Sequence, residues 1–246
     1  MKAVILSAGQ GSRLLPLTAD RPKCLIEFSG RTLIDWQLDS LIANGVDDIA
    51  VVIGFRDDQV TAALARRAEG RARITTIFNP FYKVADNLGS VWLARHHLSG
   101  DCMILNGDTL VSPALVARAL AGARPGINVT VDEKPGYDED DMKVVREGDG
   151  RLLAIGKRLD LDRVNAESIG MILFRGDGAA RFVDTVDRVM RTPEGTTSWY
   201  LKVIHRIAES ERVETVGIMG EQWGEVDFPE DVPVAEALTR DWAKAR

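Results

Sequence analysis

The chain has 246 residues, of which 45% are hydrophobic and 28% charged, with a formal net charge of −6. A chain of that length and composition folds as one large domain and builds its core without disulfides or a structural metal, which excludes a disordered or fibrous class. The acidic balance argues against general nucleic-acid binding, which needs a basic face, but leaves room for a local basic pocket.

The opening run MKAVILSAGQGSR is apolar over too few residues for a signal h-region or a membrane span. It reads as a first strand, Ala3 to Ser7, ending in a glycine-rich turn. No later stretch is long and apolar enough for a bilayer, so a cytoplasmic protein without a membrane partner is expected. Apolar residues at Leu33, Ile34, Leu38, Leu41 and Ile42 predict a helix from Thr32 to Asn44, closed by Gly45. Then come a strand over Ile49 to Ile53, an Ala- and Arg-rich helix over Gln59 to Glu69, a strand over Ile74 to Phe78 and a helix over Leu88 to Leu98. A fourth strand, Met103 to Leu105, runs into Asn106-Gly107-Asp108. This alternation predicts a mostly parallel sheet covered on both faces, with function at the carboxyl ends of its strands.

The second half changes character. Short runs at Val129 to Glu133, Val144 to Glu147 and Leu152 to Ile155 predict an antiparallel extension, the last two joined by Gly148-Asp149-Gly150. A strand over Ser168 to Phe174 follows, then helices over Ala179 to Met190 and Trp199 to Glu209. A strand pair is expected around Val213 to Met219, and a final helix over Pro229 to Lys244. No linker or repeat divides the chain, so residues 1–246 read as one domain. Cys24 and Cys102 sit in apolar strand-like runs and read as buried thiols. No Cys/His group has zinc spacing, and the adjacent His96 and His97 read as a solvated pair.

The strongest chemical signal is Ser7-Ala8-Gly9-Gln10-Gly11-Ser12-Arg13-Leu14, followed by Arg21-Pro22-Lys23. Glycines let the backbone turn tightly and approach a ligand, and the N–H groups from Ala8 to Ser12 can cradle phosphate oxygens. Arg13 adds a fork of donors and Lys23 a compact cation. A dinucleotide fingerprint would need a third glycine where Leu14 stands, and a Walker loop would need Gly-Lys-Ser/Thr. A bare structural turn is the remaining alternative, and the joint occurrence of both glycines, Arg13 and Lys23 speaks against it.

This Gly-x-Gly-x-Arg loop, the later Pro-Lys and the continuation LIEFSGRTLIDWQLDSLIANGVDDIAVVIGF together resemble the sugar-phosphate nucleotidyltransferase superfamily, more weakly toward the end of the chain. The resemblance implies an α/β, Rossmann-like three-layer fold with a mostly parallel mixed sheet, binding an NTP at the loop after the first strand. It also implies that Gly107 borders the nucleotide and that Asp108 and Asp227 hold Mg2+, although a Gly-Asp pair alone is more often just a turn. Asp231 reads as a helix-start residue. Lys157, otherwise an ordinary surface lysine, would contact a substrate phosphate.

Where the sugar enzymes carry a Gly-Thr pair, this chain has Asn87-Leu88-Gly89-Ser90. That departure resembles the branch of cytidylyltransferases acting on phosphocholine, inositol phosphate or aminoalkyl phosphonates. It makes CTP the expected nucleotide and Asn87 and Ser90 candidates for contacts to it. The plain alternative is a helix cap at Asp86 or Asn87. Asp138-Glu139-Asp140-Asp141 reads as a solvated loop or, alternatively, as a site for a cationic acceptor, with Trp199, Tyr200 and Trp223 available for an aromatic cage. The implied reaction is an in-line displacement by a small phosphorylated acceptor at the α-phosphorus, releasing pyrophosphate. Arg13, Lys23 and Lys157 neutralise and position charge in it. The rivals are a sugar-1-phosphate nucleotidyltransferase using UTP, dTTP or GTP, and a non-catalytic nucleotide sensor; a nicotinamide dehydrogenase is more distant. The acceptor, and whether the protein is a homo-oligomer, stay open.

Overall fold

The structure, a computed structural model, describes residues 1–67, 70 and 72–244. The first half runs β1 (Lys2–Ser7), a small hairpin of β2 (Glu27–Phe28) and β3 (Arg31–Thr32), α1 (Leu33–Ile42), β4 (Asp48–Ile53), α2 (Asp57–Ala65), β5 (Arg73–Phe78), α3 (Asn87–Ala94) and β6 (Cys102–Asn106). Next come β7 (Thr109–Val111), α4 (Pro113–Gly122), β8 (Gly126–Asp132), β9 (Lys143–Arg146), β10 (Leu152–Gly156) and β11 (Ala166–Arg175). The chain closes with α5 (Gly178–Met190), α6 (Tyr200–Ala208), β12 (Glu214–Gly217), β13 (Trp223–Glu225) and α7 (Asp231–Lys244).

The central sheet has the order β10-β9-β11-β6-β1-β4-β5, with β8 paired to β11 and β12 to β8. Strands β6, β1, β4 and β5 are mutually parallel, and β11 joins antiparallel to β6. Strands β1, β4 and β6 are apolar along most of their length because both faces are covered, whereas the edge strand β5 is partly exposed and carries Arg73, Thr75 and Thr76. Val4, Val52 and Ile104 pack toward α3, α5 and α6, while Ile5, Val51 and Leu105 pack toward α1, α2 and α4. A third cluster joins Trp36, Phe28, Leu110, Val226 and Trp242, and so fastens α7 and β13 to α1. Thr32 caps α1 in a reciprocal capping box with Asp35, worth about 1 kcal/mol, and Gly45 takes the left-handed conformation beyond its end at φ +72°.

The antiparallel extension is present, carried on the central sheet itself: β11 pairs antiparallel with β6 and bears β9 and β10 at its edge. Several other expectations are corrected. The strand pair around Val213 to Met219 is the single strand β12, parallel to β8, because the chain turns out of the sheet after Gly217. Cys24 sits in a 3₁₀ turn, Lys23–Leu25, rather than a strand. Helix α4 was not anticipated, although Ser112 caps it and Pro113 opens it. The helix expected to reach Glu69 is α2, and Glu69 itself lies outside the described residues. Both thiols are buried, which pushes each up to about 12 and leaves them inert. Among the described residues no helix is long and apolar enough to cross a membrane.

Candidate active site

The carboxyl end of β1 delivers the glycine loop. Gly11 has φ +76°, and a Cβ there would stand 3.0 Å from the Lys23 Cβ, so glycine serves both the conformation and the close approach of Lys23. Its carbonyl accepts from the Thr18 hydroxyl at 2.7 Å and from the Leu14 N–H at 3.0 Å. The turn buries Leu14 and leaves Gly9, Ser12 and Arg13 exposed. Ala8 is buried, its carbonyl tied to the Phe55 N–H beyond β4 at 2.9 Å. A cavity of about 200 Å³ opens between Gly9, Gly11, Lys23, Asn87 and Gly107.

Two carboxylates meet at Lys23 because β7 pairs antiparallel with β13, placing Thr109 opposite Glu225. The Asp108 carbonyl accepts from the Val226 N–H at 3.1 Å, which draws the residues flanking both strands together. Lys23 Nζ donates to Asp108 Oδ2 at 2.9 Å and to Asp227 Oδ1 at 2.6 Å. Burial works against the ammonium, but the two carboxylates outweigh it and hold its pKa above the ordinary lysine value. Arg13 reaches Asp227 Oδ2 at 3.5 Å and lies 5.0 Å from the Phe228 ring centroid. Asp231 begins α7, as expected, and its carboxylate accepts the N–H groups of Asp227 and Phe228 at 2.8 and 2.7 Å.

The platform beneath Asp108 was not legible. Gly107 donates its N–H to the Leu6 carbonyl at 3.1 Å, and a Cβ on it would lie 2.5 Å from Ser7 Oγ. Buried Gln37, on α1, donates from Nε2 to the carbonyls of Asn106 at 2.7 Å and Thr109 at 2.8 Å, bracketing the turn. The Tyr200 hydroxyl donates to Asn106 Oδ1 at 2.9 Å; burial raises its pKa well above the ordinary value, so it stays a donor. Asn87 lines the cleft, its Oδ1 accepting from the Tyr200 N–H at 3.0 Å. Asp86, not Asn87, takes the N-cap position of α3. Ser90 is not brought to the cleft. It is buried, and its hydroxyl accepts from Asn79 Nδ2 at 2.9 Å.

Glu225 was also missed. Its side chain is exposed in the cleft, and desolvation by the surrounding residues together with Asp108 and Asp227 pushes its carboxyl up to about 8. The signal was the spacing Glu225-Val226-Asp227, which on extended chain turns both carboxyls to one side. Asp108 and Asp227 within reach of one cation, with Glu225 beside them, form a hard oxygen set that suits magnesium. Among the described residues no group of three or more His, Cys, Asp or Glu side chains is arranged to hold a metal by itself, so phosphates and waters would have to complete the shell of an ion on Asp108 and Asp227.

From Asp108 and Asp227 the cleft continues through a cavity of about 180 Å³, also lined by Arg13, Asn87, Lys157 and Trp199. It opens into an outer cavity of about 930 Å³ that shares Asp140, Lys157 and Trp199. Lys157 Nζ donates to Asp140 Oδ1 at 3.0 Å and lies 5.6 Å from the Trp199 ring centroid. Of the aromatic residues weighed for a cage, Trp199 alone lines these cavities. Tyr200 is buried, and Trp223 donates to Asp132 at 2.8 Å.

Residues 2–152 match the family model described as "Nucleotidyl transferase". The chain belongs to that family. Over 95% of its length this nucleotidyl transferase is 26% identical to the CTP:phosphoglutamine cytidylyltransferase of Campylobacter jejuni, of which it covers 98%. Over 51% of its length it is 34% identical to the CMP-5'-(3-aminopropyl)phosphonate synthase of Streptomyces rubellomurinus, spanning 21% of that protein. The inositol-1-phosphate CTP transferase from T. maritima shares its fold, with TM-score 0.81 at 22% identity over 97% of this chain and 95% of that one. Cytidylyltransferases, the branch that Asn87 to Ser90 resembled, are thus among the relatives of this nucleotidyl transferase.

Proposed function

We propose that the protein transfers CMP from CTP to a small phosphorylated or phosphonylated acceptor and releases pyrophosphate. The observation that carries this reading is the continuous cleft from the Gly11–Lys23 loop, past Asp108 and Asp227, to Lys157. An oxygen of the acceptor phosphate attacks the α-phosphorus, and the bond to the β-phosphate oxygen breaks with its electron pair leaving on pyrophosphate. The attacking oxygen is already ionised near neutral pH, so no general base is needed, and the residues act by positioning and charge neutralisation.

In this reading the N–H groups of Ala8, Gly9, Gly11 and Ser12 approach the triphosphate, and Gly107 lets the nucleotide lie against β6. Arg13 and Lys23 offset the charge of the leaving pyrophosphate, and Lys157 orients the acceptor. Asp108 and Asp227 would hold a magnesium ion, with Glu225 close by, and that ion would supply charge neutralisation at the α-phosphate. The choice of CTP is supported by the Asn87 segment and by the relatives' names. With the Ser90 hydroxyl committed to Asn79, Asn87 is the side chain of that segment that faces the nucleotide.

Pyrophosphate release is measured with magnesium and each of CTP, UTP, GTP, ATP and dTTP. Acceptors are phosphocholine, 2-aminoethylphosphonate, inositol phosphate and several sugar-1-phosphates. Turnover with CTP and a non-sugar acceptor is expected. Turnover restricted to sugar-1-phosphates with another nucleotide would overturn the cytidylyl reading. Nucleotide binding without release from any acceptor would favour a sensor.

A further inference from the structure

The Asp140–Lys157 ion pair spans the cleft where the central and outer cavities meet, and both residues line both cavities. It joins the loop between β8 and β9 to the chain just after β10. The rest of the acidic run has other work. The Asp138 carboxylate accepts the N–H groups of Asp140 and Asp141 at 2.9 and 3.2 Å. Asp141 accepts from the Asp138 N–H at 2.8 Å and pairs with Lys134 at 2.8 Å. The loop therefore keeps its shape without the Asp140 carboxylate, which is exposed and faces the cleft.

That carboxylate stands on the cation that the cytidylyl-transfer reading gives to the acceptor phosphate. Asp108 and Asp227 already share Lys23, so the carboxylate an incoming phosphate meets on Lys157 is that of Asp140. A purely anionic acceptor must displace Asp140 and is repelled by it. An acceptor that carries its own positive charge next to the phosphate gives the displaced carboxylate a new partner.

We propose that Asp140 is a specificity-determining residue that holds the place of the acceptor phosphate on Lys157 and receives the acceptor's ammonium group once displaced. The assignment rests on the role given to Lys157 above. Asp140 and Lys157 line the same two adjoining cavities, so a carboxylate displaced from Lys157 stays near the bound phosphate, which favours short aminoalkyl phosphates or phosphonates. Trp199, beside Lys157, offers its ring to the connecting carbons.

The test uses the full chain with magnesium and α,β-methylene-CTP, so that binding is read without turnover. Calorimetry compares phosphoethanolamine with ethyl phosphate, its neutral-tailed analogue, on the wild type, Asp140→Asn and Lys157→Gln. The wild type is expected to prefer phosphoethanolamine about tenfold. Asp140→Asn reduces the preference to about twofold, with ethyl phosphate binding more tightly than to the wild type because nothing competes for Lys157. Lys157→Gln weakens both ligands. A preference unchanged in Asp140→Asn, equal weakening of both ligands there, or no binding or no preference in the wild type overturns the proposal. Pyrophosphate release with CTP and the same acceptors is run in parallel. Its absence with tight, Asp140-dependent binding would refute the transfer reaction and leave the assignment of Asp140 standing.

Discussion

Replacing Lys23 with methionine keeps the apolar stem and removes the charge that two carboxylates share. The Lys23 side chain is 14% exposed, that of Asp108 25% and that of Asp227 31%. Removing one partner of a fully buried ion pair costs about 3–5 kcal/mol, and an exposed pair contributes about 0–1 kcal/mol. The partial exposure of both carboxylates puts this site between those limits, at about 2 kcal/mol. For a chain of this length that is a fall of about 4–8 °C in melting temperature. Magnesium should recover much of the loss in Lys23→Met if the two carboxylates hold it as proposed, and monovalent salt should recover less. Thermal unfolding followed by circular dichroism, with and without magnesium, measures both effects. A variant that melts with the wild type, or that ignores magnesium while the wild type binds it, would refute the argument that charge balance holds Asp108 and Asp227 together.

Asp108→Asn should fold normally and lose turnover by about a thousandfold, because its place in the cleft concerns charge rather than packing; full activity would sink the metal assignment. Gly107→Ala should lower stability by about 1–3 kcal/mol in urea unfolding, since the new Cβ would crowd Ser7 Oγ at 2.5 Å; an unchanged midpoint would count against that close approach. Burial pushes the carboxyl of Glu167 up from 4.5 to about 7, Lys134 at 2.8 Å only partly offsetting it. The folded protein therefore holds this proton where the unfolded chain has released it, so this group's contribution to stability falls as pH rises from about 4.5 to about 7. Glu167→Gln should flatten that part of the stability profile, and an unaltered slope would contradict it.

The parallel half of the fold was legible in the chain alone. A continuous apolar run such as Ile49 to Ile53 fits a strand buried on two faces, and the spacing of Leu33, Ile34, Leu38 and Leu41 fits a helix with one buried side, as α1 is. Gly11, Arg13 and Lys23 were marked by their own pattern after the first strand, and Asp108 and Asp227 by the family resemblance, since a Gly-Asp pair alone reads as a turn. Which distant residues meet was not legible. Strands β7 and β13 are three residues each, too short for any periodicity, yet their pairing joins Asp108 to Asp227 across the chain. Gln37 looked like one polar position on a helix, and only the approach of α1 to the end of β6 puts its amide between two carbonyls. Ser90 looked equally available for a nucleotide, and packing against Asn79 committed it elsewhere. Local pattern reports a residue's own turn of chain; partners far apart in sequence, as Gln37 is from Thr109 by 72 positions, are decided by how the layers close on one another.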